Sequence, residues 1–581
     1  MIRYVLSLIV MLVALLSFDK VHAQVITTRP GADTMKVVTL INADRLSYYR
    51  PDSLTELQTL AGHVQLKQEN TLFICDSAVL NKKTRMLEAF GNVHIIDNDT
   101  VNIRSQYLQY FVETKIANLK NNVSLTDSKS TLFTNELQYD MNMKIGEYHN
   151  GGKLINQTSV LTSKEGTYYE ELKDVYFKKD VDLKDPKYTL KTDSLLYNTA
   201  TQIATFIAPT TIIDSSKRVI NTSDGFYDTR NRKAFFGKRP VLHDGAVKII
   251  ADFIESDDST GISNLRGRAV YVDSAQGVSV LANSIKANRD DGTFLATQHP
   301  LMIIKQDKDS IYITADTLYS GRLSKMPGYK DTSRRQRDTA KRIAAELTLT
   351  SQPPENKKTG KATPAASKPA KATTENKNDS TDRYFQAWYH VRIFSDSMQA
   401  VSDSLFYSGK DSIFKLFTDP VMWASKSQIT GDTIYLYTKN KNPDRLYVFE
   451  NGFAVNLSDK NMYNQIKGNR LNGYFTNGEI DYMRAQGNAE SIYYIKDEKN
   501  ALVGINNATS DIIDMRFKNK ELHKVVFISE VVGTMYPIKQ ATEQNKILRN
   551  FKWLEDKRPK TKFELFEDIK PVIKKDVEGQ Q

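Results

Sequence analysis

The chain has 581 residues, 40% hydrophobic, 26% charged and 10% aromatic, with one cysteine. That composition excludes wholesale disorder, and the lone Cys75 excludes a disulfide scaffold or a Cys-based zinc site. The formal charge of +11 is concentrated: residues 321–383 hold fifteen Lys+Arg against seven Asp+Glu, which makes the basic balance poor support for a nucleic-acid partner.

The N-terminus reads as a secretory signal peptide over residues 1–23. Arg3 supplies the positive start, Val5 to Leu16 is apolar except for Ser7, and Val21-His22-Ala23 supplies the small residues before the cut. The apolar run ends by Asp19-Lys20, short of the ~20 residues a membrane-spanning helix needs. The expected location is the periplasm, with association at the outer membrane.

Residues 24–320 carry a repeat of about 30 residues. One phrase places Asp or Asn two residues before Leu or Ile, often with Tyr two further on. It occurs as Asp44-Arg45-Leu46-Ser47-Tyr48, as Asp76-Ser77-Ala78-Val79-Leu80, with Gln106 before Leu108 and Tyr110, and with Asn135 before Leu137 and Tyr139. It returns at Asp193 with Leu195 and Tyr197, Asp252 with Ile254, Asn283 with Ile285 and Asp316 with Leu318; weaker copies lie at Gly166-Thr167-Tyr168 and Gly225-Phe226-Tyr227. A second phrase opens on Gly or Asn and continues as an alternating apolar run: Gly62-His63-Val64-Gln65-Leu66, Gly91-Asn92-Val93-His94-Ile95 and Asn121-Asn122-Val123-Ser124-Leu125. Alternation over four to six residues predicts half-buried strands, with Asn, Gly and Asp marking turns. The period predicts an all-β stack in which each rung buries its apolar face against its neighbours, drawn as parallel rungs ~4.8 Å apart with open edges at both ends.

The rhythm stops at residues 321–383, a basic low-complexity segment read as a disordered insertion, for which a tolerated surface loop weighs more than a tether to an anionic surface. It resumes over 384–540, where Asp403-Ser404-Leu405-Phe406-Tyr407 and Asp432-Thr433-Ile434-Tyr435-Leu436 lie 29 residues apart. Residues 541–581 read as a charged C-terminal tail, short and helical or extended.

Signals for catalysis are weak. The histidines are scattered without HExxH or HxH spacing, and no phosphate loop or GxSxG elbow is present, so neither cofactor nor metal is expected. Cys75 reads as a buried, inert thiol rather than a nucleophile. The Asp-Ser and Asp-Thr pairs recur once per rung, as a structural corner must and a catalytic group need not. Acidic residues on adjacent rungs leave a β-helical polysaccharide-active enzyme as the weakest of three readings. A structural or scaffolding repeat protein of the cell envelope is the second.

The leading reading comes from resemblance. Asp44-Arg45-Leu46-Ser47-Tyr48, Leu60-Ala61-Gly62-His63-Val64 and Leu87-Glu88-Ala89-Phe90-Gly91-Asn92-Val93 resemble the OstA/LptA family of lipopolysaccharide transport, well over residues 36–320 and more faintly over 384–540. The layout is similar to that of the large OstA-like proteins of Bacteroidota. The resemblance implies a twisted β-jellyroll with an apolar groove, no catalytic residues, lipopolysaccharide or a related envelope lipid as partner, and end-to-end strand pairing with other jellyrolls of the transport system or with itself. The apolar ladders place a candidate lipid groove at Leu46, Tyr48, Val64, Leu66, Val93, Ile95, Leu108, Tyr110, Val123, Leu125, Leu137, Tyr139, Leu195, Tyr197, Ile254, Ile285 and Leu318. The departures from the family are the second repeat block and the C-terminus: about 40 residues follow Gln540, too few for an eight-stranded transmembrane barrel.

Overall fold

The computed structural model describes residues 37–566, apart from 53–54, 99, 128, 306–308, 329–381, 440–441, 477–478, 498, 500 and 519–520. The expected signal peptide and most of the expected insertion lie outside the described residues. Those described form β-strands joined by short turns, with single-turn 3₁₀ segments and no α-helix among them. The described residues are all-β, in jellyroll stacks with a repeat of about 30 residues.

The long strands are bent in the middle. Leu57–Gln68 pairs in register with Thr71–Asn81 except between Ala61 and Val64, where two residues bulge out. Met86–Asp97 does the same between Phe90 and Val93, and Ile116–Asp127 between Lys120 and Val123. The bulged residues are consecutive and left-handed: Gly62 and His63 (φ 76° and 47°), Gly91 and Asn92 (71° and 44°), Asn121 and Asn122 (66° and 54°). A two-residue bulge turns the strand sharply. Each strand therefore contributes one arm to each of two walls. The first wall holds residues 57–61, 77–81 and 86–90; the second holds 64–68, 71–75 and 93–97.

The glycine-asparagine phrase thus marks a bend inside a strand, not a turn between strands as expected from its composition. The Asp phrase marks the facing bend. Asp44 donates its backbone N–H to the Gly62 carbonyl (2.9 Å) and its carboxylate meets His63 Nδ1 (2.8 Å). Asp76 accepts from Asn92 (2.9 Å), Asp252 from Arg268 (2.7 Å) and Asp432 from Asn451 (3.1 Å). At Gly91 the fit is tight: a Cβ there would stand 2.4 Å from the Asp76 carboxylate. The recurring aspartates are the structural corners that their periodicity suggested.

Stacking differs from the parallel rungs expected, because the register is antiparallel in every wall. The reason lies in the turns. Asn81 Oδ1 accepts from the N–H groups of Lys83 and Thr84, and Asp140 Oδ1 from Asn142 and Met143, closing tight reversals. Such turns return the chain beside itself, whereas a parallel crossover needs a dozen residues or more. One 30-residue repeat is therefore two strands thick, about 9.6 Å rather than ~4.8 Å.

The described residues divide into two compact units: those within 37–154 with 167–171, and those within 155–166 with 172–566. In the first, Thr39–Asn42 and Arg45–Tyr49 pair with Leu57–Gln68 and leave their other edges open among the described residues. In the second, Arg383–Phe394 pairs directly with Ser310–Thr314 and Thr317–Arg322, so the strands from Arg383 onward add to those ending at Arg322. Glu521–Ile528 and Val532–Pro537 end this unit, both on Leu502–Lys518.

The tail is extended with 3₁₀ turns and runs back along the outer face of the second wall. Ile538, Ala541 and Leu548 cover Ile492, Tyr494 and Ile505. Gln465 donates to the Lys546 carbonyl and accepts from the Leu548 N–H (both 2.8 Å); Gln428 repeats the pattern with Lys552 and Leu554 (2.8 and 2.7 Å). Arg558 then bonds Gln399 (2.8 Å), and Lys562 lies over the Tyr312 ring.

Candidate functional site

The inward positions of both walls form apolar columns. In the first unit Val64, Leu66, Val93, Ile95, Leu108, Tyr110, Val123, Leu125, Leu137 and Tyr139 are all buried, and in the second so are Leu195, Tyr197, Ile254, Ile285 and Leu318. Each fully buried Leu, Val or Ile contributes ~1.5–3 kcal/mol by leaving water. The two remaining candidates behave differently: Leu46 and Tyr48 are 42% and 65% exposed. They keep the inward phase, but their strand is the last of its unit and nothing among the described residues stacks beyond it.

These columns do not line an open groove. The walls touch: the Phe73 ring of the second wall lies 4.8 Å from Tyr110 of the first. Where the walls would splay apart, a seam of polar clasps holds them. Tyr110 donates to Gln68 Oε1 (2.6 Å), while Gln68 Nε2 donates to the Val112 carbonyl (3.2 Å). Tyr168 donates to Asp127, and Tyr139 to Glu170, which also receives Thr100 Oγ1 at 3.4 Å. In the second unit Asn156 donates to Tyr197 (3.2 Å) and to the Thr199 carbonyl (2.9 Å). Further along, Arg218 pairs with Asp214 (2.5 Å) and Asp258 (3.4 Å), and Tyr227 donates to the same Asp258 (3.2 Å).

Burial is the main force raising the phenol pKa values. It pushes Tyr197 up to about 12 and raises Tyr110, Tyr139 and Tyr168 as well, the last two helped by the carboxylates they bond. All four are neutral donors near neutral pH.

The polar half of the seam escaped the sequence reading. Gln68, Asp97, Asp127, Asn156, Asp185 and Asp214 recur every 29 or 30 residues at strand ends, where acids and amides look like ordinary turn residues. Their shared phase with the inward apolar positions was the available signal: each lies two residues after an inward residue such as Leu66, Ile95 or Leu125.

The remaining chemistry is sparse. Cys75 is buried and its thiol is pushed up to about 11, chiefly by burial. No cluster of three metal-ligating side chains occurs among the described residues. No helix among them is long and apolar enough to cross a membrane.

Bent antiparallel strands, two facing walls and an apolar interior with a polar seam define a β-jellyroll in each unit. Residues 35–193 and 182–252 match the family described as OstA-like protein, so this stretch of the chain is similar to that family. No curated protein matches the chain.

Proposed function

We propose that the protein is a non-enzymatic, exported β-jellyroll that carries the acyl chains of lipopolysaccharide or a related envelope lipid across the periplasm toward the outer membrane. The observation that carries this reading is the unbroken inward apolar column of each unit, closed by hydrogen bonds at a seam rather than by covalent links. Acyl chains enter when the clasps release and the walls part. The end strands Arg45–Tyr49 and Val532–Pro537, each paired on one side only among the described residues, offer edges for joining other jellyrolls of the transport system or a second copy.

In-cell photocrosslinking tests it. A photoreactive residue replaces the inward Leu137 or Leu195, which leaves the tyrosine clasps intact, with the outward Phe133 and the turn residue Asn198 as controls. Lipopolysaccharide adducts at the inward positions only are expected. No adduct anywhere, in a folded and exported protein, sinks the conduit. A scaffold without cargo is the second reading, favoured by the closed, tightly packed interior.

A further inference from the structure

The outward face of the first wall near the C-terminal end of the second unit carries a pattern that neither the packing nor the seam requires. Across Thr433–Lys439, Asn442–Asp459, Met462–Thr476, Glu479–Lys496 and Leu502–Lys518, one register row reads Tyr437, Arg445, Tyr474, Tyr482, Arg516. The adjoining row supplies Tyr447, Asn472, Arg484 and Asp514. The rings form a chain: Tyr437 to Tyr447 at 5.2 Å, Tyr447 to Tyr474 at 6.3 Å, Tyr474 to Tyr482 at 5.6 Å. Guanidinium groups of Arg445 and Arg516 lie 4.9 and 5.4 Å from the Tyr437 and Tyr482 ring centres.

Part of this face is held rigid. Arg484 binds Asp514 through two parallel bonds (2.6 and 2.7 Å), and the Tyr482 hydroxyl donates to the same carboxylate (2.6 Å). Asp514 is thereby neutralised, whereas Arg470 and Arg516 stay exposed, as does Arg445 beside its partner Asp444 (3.1 Å). A shallow depression opens here, lined by Asn472, Tyr474, Asp481, Tyr482, Arg484, Gln486 and Arg516. Cross-strand aromatic pairing alone would stabilise the sheet, yet it gives no reason to interleave arginines and amides around a half-exposed tyrosine.

We propose that this aromatic–arginine face binds an anionic oligosaccharide, its sugar rings stacking on Tyr474 and Tyr482 and its acidic groups meeting Arg445, Arg470 and Arg516. Aromatic faces take the C–H side of a pyranose, amides and phenols take hydroxyls, and guanidinium forks take phosphate, sulfate or carboxylate. The ring spacing is close to the length of one sugar unit in an extended chain. A protein partner is disfavoured because the depression lacks a central apolar pocket for an anchor side chain. The site does not depend on whether the interior carries lipid.

Calorimetric titration of the full chain decides it, with a heparin-derived hexasaccharide as the anionic probe and maltohexaose as the neutral one. The hexasaccharide binds more tightly, and its affinity falls with salt. Tyr474→Ala and Tyr482→Ala each weaken it about tenfold, the loss expected from one stacked ring with its cation. Arg516→Gln, on an exposed side chain, weakens it several-fold. Phe133→Ala in the first unit changes nothing. Failure of the folded chain to bind either saccharide overturns the proposal. So does loss on Arg516→Gln with both tyrosine variants unaffected, which is unspecific charge attraction. A change in chain self-association on sedimentation, without a change in saccharide affinity, marks a protein interface and also overturns it.

Discussion

Replacing Tyr139 by Phe removes one hydroxyl and almost nothing else. The Tyr139 side chain is fully buried, and its hydroxyl donates to Glu170, whose side chain is only 5% exposed. Without it the carboxylate keeps Thr100 Oγ1 at 3.4 Å and Lys144 Nζ at 3.9 Å, two longer contacts. A hydrogen bond to a buried charged group contributes ~1.5–3 kcal/mol, so about 2 kcal/mol of local stability is lost. Tryptophan fluorescence is blind to this change, since Trp388, Trp423 and Trp553 all belong to the second unit. Amide hydrogen exchange read by mass spectrometry is the suitable assay. At a tenfold rate change per 1.4 kcal/mol, amides of Ser130–Asp140 exchange about 30-fold faster, while those of Glu479–Lys496 are unchanged. Glu170→Gln in the Tyr139→Phe background adds less than it does alone, because the two share one interaction. An acceleration below about threefold would refute the seam as a stabilising clasp.

Alkaline pH opens the same seam. Tyr110, Tyr139, Tyr168 and Tyr197 have folded-state pKa values raised above the unfolded value near 10, so their contribution is intact below pH 10 and is lost as pH climbs through the folded values, about 12 for Tyr197. The urea midpoint followed by circular dichroism falls above pH 10, and absorbance at 295 nm shows the buried phenols ionising only as the β signal disappears; a midpoint flat to pH 11 contradicts this. In the tail, Gln428→Ala removes two bonds to the chain around Lys552, about 2 kcal/mol together, and leaves the Trp423 indole N–H without its acceptor at 3.2 Å. Limited trypsin digestion then cuts after Lys552 several-fold faster than in the unaltered chain, and equal rates would show that the glutamine does not hold the tail.

Much of this architecture is written in the sequence because its cause is local and repeated. The Asp phrase recurs since each bend needs a carboxylate or amide facing two left-handed residues, as Asp76 faces Gly91 and Asn92. Val93 and Ile95 read as inward because strand alternation restarts at the bend. What was misread was the bend itself: Gly91-Asn92 has turn chemistry, and only the partner strand reveals that the ladder continues on either side. The parallel picture failed for the same reason, since a period of 30 fits one parallel coil or two antiparallel strands equally well. Leu46 and Tyr48 carry the inward phase, but sequence does not announce that theirs is an end strand. The tail left no periodic pattern, because Gln428 and Gln465 grip its backbone and the side chains that anchor it, Leu548, Arg558 and Lys562 among them, follow no repeat.

The hairpin topology has a consequence for how the chain is made. Most bent strands pair with the strand just before them, as Thr71–Asn81 pairs with Leu57–Gln68, so the walls can assemble vectorially while the polypeptide is still emerging. Arg383–Phe394, which pairs with Ser310–Thr314 and Thr317–Arg322, is one exception, and the tail is the larger one. Lys552 and Leu554 meet Gln428 across 124 and 126 positions, and Arg558 meets Gln399 across 159. It can dock only after the intervening strands stand in register. Its docking is a final proofreading step, and a misregistered C-terminal half would be left with a protease-accessible end.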